Sequence, residues 1–177
     1  MEFAAVLAAL APWAAFVVLL CAAAVVIGQN QRGRKPMLLS LALCVGCGGL
    51  LFVGPSVLRQ HGLAYRCWPY QILIALFFGI AVGTILLTVV LFCRKGGARL
   101  WEVWAVTLSG LVLVVTCLFA CVVFAVFTAR TEETGVWNGQ KVVMVEQGGR
   151  YRYYAYRGWI VMGEPFGTSQ TRWEGEA

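Results

Sequence analysis

The chain has 177 residues, of which 60% are hydrophobic and 12% charged, with a formal net charge of +6. Soluble domains carry about 25% charged residues, so this balance excludes an ordinary soluble globular protein. Nor does the positive charge indicate nucleic acid, because the basic residues collect in short segments beside apolar runs.

Four uncharged runs follow one another, and each predicts a membrane-spanning helix. The first covers residues 3–28. It follows Glu2, lacks a basic start, and far exceeds the about 7–15 apolar residues of a secretory signal, so it reads as a retained helix. Ala4, Ala8, Ala11, Ala15 and Ala22 line one face of it, and Pro12 is expected to kink it. Residues 29–36 read as a short loop with Arg32, Arg34 and Lys35.

The second run covers residues 37–57. Ser40, Cys44, Cys47 and Gly48 share a face, and Pro55 is expected to end the regular helix. A loop over 58–69 follows, carrying Arg59, His61, Arg66, Cys67 and Trp68. The third run covers residues 70–93. There Ala75, Gly79 and Gly83 recur every four residues, the small-xxx-small pattern of close helix crossings. Arg94, Lys95 and Arg99 mark the third loop.

The fourth run, residues 103–128, would span about 39 Å as a helix, enough to cross a bilayer with some tilt. Ser109, Gly110, Cys117 and Cys121 fall on one side, and Leu111, Leu118, Phe119 and Val122 on the other. Lipid tails are as apolar as Leu, so close backbone packing decides the faces. The small side is expected against other helices and the bulky side against lipid.

Composition shifts sharply at residue 131. Residues 140–146, 150–156 and 159–162 read as strands, with turns at Gln147-Gly148-Gly149 and Arg157-Gly158. From Gly163 onward the chain reads as irregular. A segment this short rarely supports a core alone, so it should rest on the outer loop, the membrane surface or a neighbouring subunit.

The predicted fold is therefore an all-α membrane protein. Residues 1–130 form a four-transmembrane-helix bundle, and residues 131–177 a small β-rich extracytoplasmic module. Orientation follows from the basic residues near the helix ends. The first and third loops carry six, against Arg59, Arg66 and Arg130 on the other side. That bias puts those two loops in the cytoplasm and both termini outside. The richness in Ala, Val, Gly and Arg leans toward a bacterial plasma (inner) membrane.

No residue pattern specifies a reaction. Seven cysteines cannot all pair, and most lie in apolar runs, so they are no disulfide framework. Cys44-x-x-Cys47 and Cys117-x-x-x-Cys121 have metal-like spacing, but no His or acid shares their depth; small apolar packing residues are expected. His61 and Cys67 share a loop, yet nothing nearby orients the imidazole for a nucleophile pair. The runs hold no charged residue, which disfavours transporters, proton relays and voltage sensors. No catalytic residue, metal or cofactor is expected.

The tail mixes cations with aromatics in Arg150, Arg152, Tyr153, Tyr154, Tyr156, Arg157 and Trp159, residue types enriched at binding hot spots. In the cytoplasm such a pattern would suit single-stranded nucleic acid, but the expected outside location argues against it. A strand packed on the bundle's outer end, with cationic rims, accounts for the same residues. The expected function is a non-enzymatic adaptor, sensor or assembly subunit that binds a protein partner, or a second copy, through this module. The alternative is a small oligomeric channel or transporter.

Overall fold

The computed structural model describes residues 2–29, 31–94, 98–137, 140–147 and 150–169, without the side chains of 2–11, 29, 31, 32, 137, 147 and 169. The chain is mostly helical and ends in an antiparallel sheet. Its helices are α1 (Glu2–Gln29), α2 (Gln31–Phe52), α3 (Gly54–Gln60), α4 (Cys67–Cys93) and α5 (Leu100–Thr128). The strands are β1 (Ala64–Tyr65), β2 (Thr131–Trp137), β3 (Gln140–Gln147), β4 (Arg150–Tyr156) and β5 (Val161–Ser169). The expected turn at Gly148-Gly149, Lys95 of the third loop and the side chains of Ala4, Ala8 and Ala11 lie outside the described residues.

Three helical runs are long and apolar enough to cross a membrane: Gly33–Gln60, Cys67–Cys93 and Leu100–Thr128, of 28, 27 and 29 residues. In α1 the described apolar stretch, Pro12–Gly28, is shorter. Two boundaries differ from expectation. Arg32, Arg34, Lys35 and Pro36 belong to α2 rather than to a loop. Arg and Lys are good helix formers, and Pro36 removes a single backbone donor. Pro55 does not end the second run but opens α3. Val53 keeps helical angles (φ −91°, ψ −36°), and Pro55 falls in the first turn of the renewed helix, where a missing N–H forfeits no intrahelical bond.

The chain divides into two compact units, Met1–Cys47 with Leu76–Val123, and Gly48–Ala75 with Phe124–Ala177. In the first, Ala22, Ala23 and Val26 of α1 pack with Met37, Phe92 and Val106, and Ala15 and Leu19 pack with Ile85 and Leu113. Along α5, Val106, Gly110 and Leu113 are buried at helical spacing. Ser109, Cys117 and Cys121 are half-buried, while Leu111, Leu118, Phe119 and Val122 are exposed. Polar groups here satisfy one another. Thr84 Oγ1 donates to the Ile80 carbonyl (2.8 Å), so Ser40 is the donor in its 2.5 Å bond to Thr84 Oγ1.

On α4 the buried residues are Ile74, Thr84, Ile85, Thr88 and Phe92. Ala75, Gly79 and Gly83 fall on the opposite, exposed side, and a Cβ added at Gly79 or Gly83 would meet nothing within 4 Å. Among the described residues this stripe lines no helix crossing within the chain. Gly110 does: a Cβ there would lie 2.6 Å from Val89 Cγ2 and 3.7 Å from Ile85 Cγ2.

In the second unit the strand order is β1-β5-β4-β3-β2, antiparallel throughout. Val143, Val145, Tyr154 and Met162 form its core. Two strands were not expected, β1 and β2, and β5 is longer than the 159–162 segment. Residues 163–169 are therefore strand and not irregular. They pair with β4 from Tyr151↔Ser169 through Tyr153↔Gly167, and register shifts around Tyr154↔Pro165 absorb the proline.

Close packing at Gly110 sets the first prediction. Gly110→Leu should lower the melting temperature of the detergent-solubilised chain, with a cost of about 1–3 kcal/mol for forcing apart packed side chains. Gly83→Leu should leave the melting of a single chain unchanged, since it points into open space. Equal loss at both positions would contradict this packing.

Candidate functional site

The site is built where the chain turns from α3 into the sheet and back into α4. After Gln60 the helix ends on Gly62, whose φ of +65° is left-handed. That geometry lets Gly62 N–H reach the Arg59 carbonyl (3.1 Å) and Leu63 N–H the Leu58 carbonyl (2.8 Å), closing the last turn. A side chain at residue 62 would also run into Glu164. β1 then pairs with β5 through Ala64↔Met162 and Tyr65↔Val161, and Arg66 N–H extends the contact to the Ile160 carbonyl (3.0 Å). The next residue, Cys67, begins α4.

A helix start leaves its first N–H groups without intrahelical partners. Here Glu132 of β2 supplies one: Oε1 accepts Cys67 N–H at 2.5 Å, while Oε2 accepts Arg66 Nε at 3.3 Å. The two side chains are 9% and 8% exposed. The Arg66 guanidinium also lies over the Tyr156 ring, 5.7 Å from its centroid. A carboxylate at a helix N-terminus is favoured by the helix dipole as well. The Cys67 thiol is turned to the Thr128 carbonyl, at 3.6 Å, rather than into a reactive pair with His61.

Around this tie opens a cleft of about 840 Å³, lying wholly within the second unit. Four arginines and two glutamates line it: Arg59, Arg66, Arg130, Arg152, Glu132 and Glu164. Arg66 and Glu132 satisfy each other, leaving three guanidiniums against Glu164. Those three arginines are exposed, and none has an ion-pair partner among the described residues. Tyr65 and Tyr70 form an aromatic wall, stacked at 5.8 Å between centroids. A second hollow of about 360 Å³ adjoins Arg66, between Trp68, Tyr156, Trp159 and Lys141.

The seven tail residues expected to bind a partner are thus divided. Strand alternation puts Arg152, Tyr154 and Tyr156 on one sheet face and Tyr153 on the other. Arg152 lines the large cleft; Tyr156 and Trp159 line the small hollow. Tyr154 borders the cleft too, but it is 8% exposed and belongs to the core, so it serves packing first. Tyr153 lies 6.5 Å from Phe166 between ring centroids, and its buried hydroxyl has no partner among the described residues. Arg150 and Arg157 are exposed outside both hollows. Missed in sequence were Arg59, Arg66, Arg130, Glu132 and Glu164. The available signal was Glu132 itself, an acid just past an apolar run, with arginines in the segment between the second and third runs.

Among the described residues no three His, Cys, Asp or Glu side chains gather as metal ligands, and all seven cysteines are free thiols. No protein-family model, curated protein or solved structure matches the chain.

The buried tie generates the second prediction. Glu132→Ala leaves the Arg66 guanidinium buried without its partner and should cost about 3 kcal/mol or more. The double change Arg66→Met with Glu132→Leu should cost clearly less than the two single changes added together. Denaturant melts of the full chain in detergent measure both. Simple additivity would show that the pair is not coupled.

Proposed function

We propose that this chain is a non-enzymatic integral membrane protein with four spans, whose sheet, together with the adjoining helix ends, binds a partner at the outer membrane surface. One observation carries this reading: a cleft of ligand size whose walls hold three guanidiniums with no ion-pair partner among the described residues. Unpaired, solvent-reachable arginines contribute little to folding, and Arg is enriched where surfaces bind. The cleft is lined by the first turn of α4 and the last residue of α5, the ends of two membrane-capable helices. Helix ends of that kind lie at the bilayer surface, and Trp68 and Trp159 nearby suit the interfacial layer. α1 is taken as the fourth span on the uncharged run from residue 3 to 28. The role is that of an adaptor, sensor or assembly subunit.

Two measurements test this. For topology, single cysteines introduced in a cysteine-free background should be labelled from outside intact cells at position 140 and not at 33. The reverse pattern would overturn the orientation. For binding, a partner copurified from native membranes with the wild-type chain should be lost with Arg152→Ala while melting stays within about a degree, because Arg152 is an exposed residue whose removal perturbs stability little. Partner retention by Arg152→Ala and Arg130→Ala alike would remove the cleft from recognition.

A further inference from the structure

The same cleft points to a chemistry, and the step rests on the reading that the cleft is a binding site. We infer that it takes a phosphate-bearing anion, with Arg59, Arg130 and Arg152 holding the phosphate and the Tyr65–Tyr70 wall holding the organic remainder.

The charge arithmetic selects an anion. Arg66 is committed to Glu132, so it adds no net charge to the cavity. The remaining three guanidiniums exceed the single carboxylate of Glu164. That carboxylate is set over Gly62, where its Cγ and Oε1 crowd the position a Cβ would take. A guanidinium presents a planar fork that fits two oxygens of phosphate or carboxylate. One carboxylate has two oxygens and one charge, which a single arginine satisfies. Three arginines from three separate segments, α3, the α5–β2 junction and β4, match a group with more oxygens and up to two charges.

Size and lining agree with an organic phosphate. A volume of about 840 Å³ is far larger than a bare ion needs and falls within the usual ligand range of about 300–1,000 Å³. Stacked Tyr65 and Tyr70 rings, with Leu63 and Met162, give the rest of the molecule an apolar wall. The arginines come from different parts of the chain. Arg59 sits in the last turn of α3, Arg130 two residues past α5 and Arg152 in the middle of β4. Their common cavity arises only from the fold, so a run of basic residues in sequence does not explain it.

Two sources share this chemistry: an anionic phospholipid headgroup entering from the bilayer, and a soluble phosphate ester arriving from water. Full-length chain in uncharged detergent is titrated with glycerol phosphate, and the chain in nanodiscs of phosphatidylcholine is compared with and without phosphatidic acid. The readouts are melting temperature and, for the soluble ester, calorimetric affinity. Saturable stabilisation is expected with at least one probe. Stabilisation by glycerol phosphate assigns the soluble source; stabilisation by phosphatidic acid alone assigns the headgroup.

Each of Arg59→Ala, Arg130→Ala and Arg152→Ala should weaken that binding roughly tenfold, as loss of a charge-assisted hydrogen bond does. Arg157→Ala, exposed and outside the cleft, should not. Arg152→Lys should recover only part of the loss, because it restores charge without the fork. No stabilisation by either probe, or an affinity unchanged from wild type in all three alanine variants, overturns the assignment. Absence of phosphate binding together with a partner still lost in Arg152→Ala overturns the phosphate and leaves the binding site standing. Retention of the partner in the same variants brings down the reading beneath it.

Discussion

One carboxylate constrains the whole second unit. Glu132 bonds Arg66 and Cys67, partners 66 and 65 residues away in sequence. Neither partner is tolerable alone. A buried guanidinium without a counter-charge is strongly destabilising, and a helix start without an acceptor leaves polar N–H groups unsatisfied. Once Glu132 must occupy that point, its strand has little freedom. α5 ends at Thr128 and β2 begins at Thr131, so the chain passes almost directly from helix into a strand whose second residue is the tie. The opposite side is equally bound, because Arg66 N–H also continues the β1–β5 contact to Ile160.

The tie has a consequence for charge. If Arg66 were free, the cleft would carry a fourth guanidinium at a buried point, where an anion would have to be largely desolvated. With Arg66 neutralised by Glu132 and covered by the Tyr156 ring, the interior of the site is closed and uncharged in sum. The free positive charge lies instead on exposed arginines at the walls. Such residues can engage and release a ligand without unfolding anything, whereas the Arg66–Glu132 pair cannot change partners without exposing a buried charge.

This arrangement explains what could be read in the sequence. α4 and α5 were legible within a few residues, because a long apolar run has few ways to satisfy its backbone outside a helix. β3 and β4 were legible from Val142-Val143-Met144-Val145 and from the alternation across Arg150 to Tyr156. β2 was not: Thr131-Glu-Glu-Thr-Gly is weak strand material, and it pairs with β3 along its whole length because tertiary contacts override propensity. β1 escaped because two residues carry no period at all. Gly163, Pro165 and Gly167 disguised β5, whose pairing tolerates them only through shifted register. Arg152 was identifiable as a candidate from composition, but Arg59, Arg66 and Arg130 belong to segments that only long-range folding brings near it.

Strand alternation separates Arg152, Tyr154 and Tyr156 from Tyr153, but alternation alone does not say which of the first three is covered. The answer depends on what packs above each position. Tyr154 is buried in a cluster with Val143, Val145 and Met162 from the flanking strands, Arg66 lies over Tyr156, and Arg152 is exposed on the cleft. A single strand face therefore passes from a cleft-lining position to a core position to a support for the buried ion pair, every second residue. A slip of β4 by one residue would turn all three away together and bring Tyr151 and Tyr153 inward. Folding and the proposed recognition are thus tied to the same register, the pairing Val145↔Arg152 and Val143↔Tyr154.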